Sequence, residues 1–253
     1  MPLYLDGVVW IVVSLAPLML LQRLLQKEIQ LIFLFLTRRV DLSLTLFSVL
    51  FFPGVLLHEG SHYLAARILG VSTGRFSLLP QPAENGKLRL GYVETAPTDW
   101  FRDALIGSAP LIAGGAFVGY AGIVQLGLLS LTQALLSQGL EAFSQTLNAA
   151  IARSDFWLWF YLALVVSSTM LPSASDRQAW LPLGVILGAL LGLSLVLGAG
   201  PWLAENLAEP FNRFLKAVSI VFAISAGLHL VLLPFVWLVR KALERVLRLE
   251  VVI

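Results

Sequence analysis

Long apolar runs separated by short polar stretches set the pattern of this chain, with runs at about 8–21, 44–69, 104–129, 156–172, 181–199 and 214–239. A helix that crosses a bilayer needs roughly 20 predominantly apolar residues, so the pattern predicts an all-α polytopic fold with about six transmembrane helices. A shorter run at 29–36 lies between Lys27, Glu28 and Arg38, Arg39. It is too short to cross alone and is expected to be either the end of a bent first helix or an interfacial piece. The polar stretches 137–154, 173–178 and 205–213 read as loops. Pro53 and Gly54 are expected to kink the second helix.

One interval has a different period. Between 76 and 95, Phe76-Ser77-Leu78-Leu79 and Leu88-Arg89-Leu90-Gly91-Tyr92-Val93 flank Asn85-Gly86. Asn-Gly between such runs predicts a small β-hairpin beside the membrane helices. Pro80 and Pro82 should shorten its first strand or confine it to an edge.

Composition strengthens the membrane reading: 58% of the 253 residues are hydrophobic and 13% are charged, with a mean hydropathy of +0.85. The chain reads as one membrane domain over 1–253, with a core at about 44–178 and the hairpin at about 76–95; the lipid bilayer is its expected surroundings. A formal charge of +2 gives no footing for nucleic acid. The N-terminus lacks the basic region and cleavage site of a signal peptide, so the first run is expected to be retained. Arg240, Lys241, Arg245 and Arg248 follow the last run, which predicts a cytoplasmic C-terminus. Counting six spans back from there puts the end of the second helix and the loop 173–178 on that same side, while Arg23, Lys27, Arg38 and Arg39 fall outside, against the charge bias.

Cysteine is absent, so a metal would have to be held by His, Asp or Glu. His58-Glu59-Gly60-Ser61-His62 supplies such donors inside an apolar helix. Histidines at i and i+4 project from one helix face and can share a zinc ion, and Glu59 beside them is placed to serve as general base toward a zinc-activated water. Ionisable residues within an apolar helix are costly in a bilayer and ordinarily mark a functional site. The bland counterpart is a polar helix end at the headgroup boundary. Two histidines and water leave a tetrahedral zinc one protein ligand short.

The chain resembles the site-2 protease family of intramembrane zinc metallopeptidases over about 44–120. The resemblance rests on His58-Glu59-Gly60-Ser61-His62, the following Ala66-Arg67, Gly70-Val71 and Phe76-Ser77, then Gly91-Tyr92-Val93, and Gly107-Ser108-Ala109-Pro110 in place of the family's Ala-Gly-Pro. It implies zinc held by His58, His62 and an aspartate from a later helix, Glu59 as general base, and peptide-bond hydrolysis in a transmembrane protein substrate. The family's Asn-x-x-Pro followed by Asp-Gly matches Thr169 to Arg177, which points to Asp176 as third ligand and Thr169 as the substrate-contacting position. Thr169 replaces Asn, the Pro-to-Asp spacing is one residue shorter, and Arg177 replaces Gly. It also implies an integral, multi-pass position in a prokaryotic cell membrane. Oligomeric state is left open.

Competing readings accompany several residues. The alternative reading of Asp176 is an interfacial carboxylate that pairs with Arg177 or caps the next helix, and Glu94 is the reserve ligand. Asp99 and Asp103 read as a cap and first-turn charge, and Asp155 is expected at the opposite end. His229 reads as hydrogen-bonded inside the bundle, Ser108 and Ser168 as helix contacts or oxyanion donors, and the glycines at 114, 115, 119 and 122 as close helix packing. A substrate segment is expected to add to a hairpin edge through Leu88 and Leu90. Two further readings are a catalytically inactive membrane scaffold that retains the HExxH fold and a small-molecule transporter.

Overall fold

The computed structural model describes residues 6–78, 81–82, 88–89 and 91–247. Among them are nine α-helices and a small amount of strand, as an all-α polytopic protein requires. α1 (Asp6–Thr37), α2 (Val40–Ile68), α3 (Trp100–Tyr120, continued by a π-helical turn Ala121–Gln125) and α9 (Ala208–Leu247) are long and apolar enough to cross a membrane. Two bent pairs add up to two more spans: α5 (Leu140–Ile151) with α6 (Phe156–Ser167) at 93°, and α7 (Trp180–Val196) with α8 (Gly200–Asn206) at 116°. The short α4 (Leu128–Gln133) precedes α5.

Several boundaries differ from the sequence pattern. The run 29–36 is the last part of a continuous α1, because Ile29 and Phe35 are buried within the bundle. The polar stretch 137–154 is mostly helix, and 205–213 is divided between the ends of α8 and α9. Hydrogen-bonded helix is the cheapest way to satisfy backbone groups near lipid, which overrides local polarity in both places.

The sidedness follows from a few polar contacts. At one end the Gly7 amide donates to the Asn212 side chain at 2.7 Å and Lys216 pairs with Asp6 at 2.6 Å. Glu28 pairs with Arg240 near the other end, so α1 and α9 are parallel. α2 turns back from α1 at Arg38, whose φ is +54°. α6 runs alongside α2 in the same direction, with the Tyr161 hydroxyl donating to the Leu50 carbonyl at 2.7 Å. Gly54 packs so closely on α6 that a Cβ there would lie 2.4 Å from the Val165 carbonyl oxygen. α3 is antiparallel to both: the His62 ring meets the Ile106 carbonyl near its start, and Phe117 and Tyr120 meet Trp159 near its end.

The end of α2 and the turn 173–178 therefore share a side with the amino ends of α1 and α9, opposite Arg240 and Lys241. This overturns the side predicted for them. α7 and α8 start and finish on one side, so treating them as a crossing shifted the count by one. Lys27, Arg38 and Arg39 now share a side with Arg240, Lys241 and Arg245, which removes the conflict with the charge bias.

Arg240 lies between Glu28 and Glu244, with the three side chains only 10%, 12% and 14% exposed. Removing the cation leaves the Glu28 carboxylate without its partner, while Glu244 keeps Lys241 at 2.9 Å, so Arg240→Ala should cost about 1–3 kcal/mol. The expected readout is a drop in the thermal midpoint of the detergent-solubilised protein.

The strands sit between α2 and α3. β1 (Thr73–Ser77) pairs antiparallel with β4 (Tyr92–Thr95), with Phe76 opposite Val93, and β2 (Gln81–Pro82) pairs with β3 (Leu88–Arg89). β1 stops before the prolines. The predicted turn, Asn85 and Gly86, lies outside the described residues.

Candidate metal centre

α2 continues unbroken past Pro53, so His58 and His62 stand one turn apart on the same face, their ring centroids 4.9 Å apart. Asp176 reaches them from the turn after α6: its carboxylate lies 3.7 Å from His58 Nε2 and 3.4 Å from His62 Nε2. The ligating atoms of the three residues lie within 4.8 Å of one another. Those N···O separations are long for hydrogen bonds. They are close to the edge of about 3.3 Å between two ligands of a tetrahedral zinc at 2.0–2.1 Å. Two of the three donor separations approach that edge, and with all three ligating atoms within 4.8 Å of one another, small side-chain adjustments on an unchanged helix would bring them to one zinc ion.

Surrounding groups hold the donors in place. The His62 Nδ1 lies 2.8 Å from the Ile106 carbonyl oxygen. A carbonyl only accepts, so that nitrogen carries a proton, and Nε2 either faces Asp176 with a second proton or, in the neutral ring, offers its lone pair to a metal. His58 Nδ1 is buried without a hydrogen-bond partner among the described residues. Such a ring is desolvated at a cost that a cation at its other nitrogen would offset. The Ser173 amide donates to the Asp176 carboxylate at 2.7 Å, and the Asp176 amide donates back to the Ser173 hydroxyl at 3.3 Å. Burial alone would raise the Asp176 carboxyl. The His58 and His62 rings and the Ser173 amide outweigh it and hold the group well below the usual carboxylate range, so it is an anion at neutral pH.

A cavity of about 470 Å³ opens on these residues. Glu59, 9% exposed, is on its wall, as are Thr169, Ser168, Gln26 and Asp103. The cavity strand is β4 with its preceding residue: Gly91, Val93 and Thr95 line the wall at the two-residue period of a strand. That period was legible in the sequence but could not say which strand meets the cavity. Leu88 belongs to β3 by its backbone, while its side chain and all of Leu90 lie outside the described residues.

The remaining candidates are placed as follows. Thr169 lines the cavity, but its hydroxyl turns back to the Val165 carbonyl at 3.1 Å. Glu94 does not join the histidines; its carboxylate accepts from the Arg75 amide at 3.2 Å. Asp176 neither caps α7 nor pairs with Arg177, whose Nε donates instead to the Ser173 carbonyl at 3.1 Å. Asp99 caps α3 by accepting from the Phe101 and Arg102 amides. Asp155 lies at the opposite end, against Arg153 and Trp159. His229 is fully buried, its Nδ1 2.7 Å from the Ser225 carbonyl and its Nε2 2.8 Å from the Ser168 hydroxyl. Ser108 bonds only within its own helix turn, to the Leu105 carbonyl. Gly114 packs on Met170, and Gly119 and Gly122 on Val221 and Ile224.

No family model, no curated protein and no solved structure matches this chain. Fold and site together define its class: a multi-pass helical membrane protein that gathers two histidines and an aspartate in one cavity.

Proposed function

We propose that this chain is an intramembrane zinc metalloprotease, with His58, His62 and Asp176 as ligands and Glu59 as general base. The observation that carries the reading is the convergence of both Nε2 atoms on the Asp176 carboxylate at 3.4 and 3.7 Å, in a cavity that Glu59 also lines. Zinc held there would supply Lewis-acid polarisation of a substrate carbonyl and acidify a bound water. Glu59 takes the proton from the attacking water and returns it to the departing amine nitrogen, and its place next to His58 on the cavity wall keeps it beside the ligands. A transmembrane substrate hides its carbonyls in helical hydrogen bonds and must unwind first. β4 is the strand suited to receive the unwound segment, since Val93 and Thr95 border the cavity; this moves the substrate edge from Leu88 and Leu90 toward β4.

The deciding experiment is zinc content of the purified protein beside cleavage of a generic transmembrane substrate. About one zinc per chain is expected in the wild type, with affinity reduced at least about 100-fold in His58→Ala and Asp176→Ala. Zinc unaffected by Asp176→Ala would move the third ligand elsewhere. No zinc in the wild type would favour the scaffold or the transporter.

We place the end that carries Lys27, Arg38, Arg39, Arg240, Lys241 and Arg245 in the cytoplasm, by the bias of basic residues toward that side. Because the chain is free of cysteine, single-cysteine variants test this cleanly. In intact cells, Arg39→Cys and Lys241→Cys should be shielded from an impermeant maleimide and Arg75→Cys labelled. Labelling of Arg39→Cys and shielding of Arg75→Cys would invert the orientation.

A further inference from the structure

A second cavity, of about 370 Å³, lies beside the first and shares Gln26 with it. Its walls are largely apolar, with Met19, Trp180 and Phe222 among them, yet two arginines, Arg23 and Arg177, line it as well. Arg23 is about 25 Å along α1 from Asp6 and about 21 Å from Thr37, at 1.5 Å per residue, so it belongs to the middle of a membrane-spanning helix. It forms no hydrogen bond or ion pair with any other described residue. An unpaired guanidinium at such a depth is expensive and ordinarily serves a ligand. Helical side chains lean toward the helix N-terminus, which carries the Arg23 head toward the end where Arg177 resides. Arg177 uses its Nε on the Ser173 carbonyl, and its two terminal nitrogens make no hydrogen bond with a described residue.

We propose that this cavity binds an anionic lipid, its headgroup between Arg23 and Arg177 and its chain against Met19, Trp180 and Phe222. The choice of ligand follows from charge complementarity with two guanidinium groups, from the apolar remainder of the wall, and from a volume in the range of ligand pockets. A small inorganic anion would leave the apolar wall wet, and a zwitterionic lipid would set its own cation against the arginines. The site is also wired to the metal centre: Arg177 holds Ser173, and Ser173 holds Asp176. The binding site itself does not depend on the protease reading.

Native mass spectrometry of the full chain, released from detergent after incubation with defined lipids, tests this. One phosphatidylglycerol per chain should survive in the wild type where phosphatidylcholine is lost, and retention should fall at least about tenfold in Arg23→Gln and be kept in part in Arg23→Lys, which retains the charge but not the fork. Met19→Trp fills the cavity without altering charge and should also lose the lipid, which keeps the test open should Arg23→Gln fail to fold. Retention of laurate in place of phosphatidylglycerol would support the same site with a fatty acid as the source. Equal retention of phosphatidylcholine, full retention in a folded Arg23→Gln, or stabilisation by inorganic phosphate alone would overturn the proposal. So would retention of no lipid together with capture of an apolar peptide bearing one glutamate, since that assigns the arginines to a protein substrate. Zinc content measured on the same samples should be unchanged in Arg23→Gln, which separates this outcome from that of the metal site.

Discussion

Glu59→Gln should lower peptide hydrolysis by about 100- to 10,000-fold while the metal stays bound. The side chain is nearly the same size, so the helix face and the cavity wall keep their shape. What changes is proton affinity: a carboxylate accepts the proton that must leave the attacking water, and an amide does not. Glu59 is outside the ligand group of His58, His62 and Asp176, which is why zinc content should be insensitive to the change. Measuring zinc and cleavage on the same preparation separates the roles. Loss of zinc with activity would make Glu59 a structural partner of the ligands, and undiminished cleavage would remove it from the mechanism altogether.

The second large effect should come from a residue with no chemistry of its own. Gly107 in α3 faces the backbone of Asp176 so closely that a Cβ would fall 2.0 Å from the Asp176 carbonyl oxygen. A backbone atom cannot swing aside as a side-chain tip can, so α3 or the turn 173–178 must move. Gly107→Val is expected to destabilise the fold by about 1–3 kcal/mol. By displacing Asp176 it should also weaken zinc binding by about 10- to 100-fold, the scale seen when groups that orient metal ligands are lost. Thermal unfolding and zinc titration read the two effects separately. Gly184→Ala in α7 is the control, because nothing lies within 4 Å of a Cβ there. If Gly107→Val binds zinc like the wild type, the contact between α3 and the turn does not position Asp176.

Much of this was legible in the chain because it is local. Apolar run length fixes the membrane helices, since a bilayer imposes one thickness on all of them. The i, i+4 spacing of His58 and His62 places both rings on one face of any helix that contains them, and Glu59 comes with them. Alternation around Asn85-Gly86 predicts a hairpin, and antiparallel strand pairs lie on either side of that dipeptide in the sequence. Resemblance to a family pointed to Asp176 over Glu94, but spacing alone left both open.

Tertiary structure decided what depends on distant segments meeting. Asp176 comes to the histidines because α6 runs parallel to α2 and ends one turn short of them, a relation that no local pattern carries. Which strand borders the cavity, and that Asp103 joins its wall, depend on how α3 docks beside the hairpin. The side of the membrane also turned on packing: α7 and α8 are apolar enough to read as a crossing, yet the bend of 116° returns the chain to the side it left. Hydrophobicity measures what a segment can be dissolved in, and only its neighbours determine where it goes.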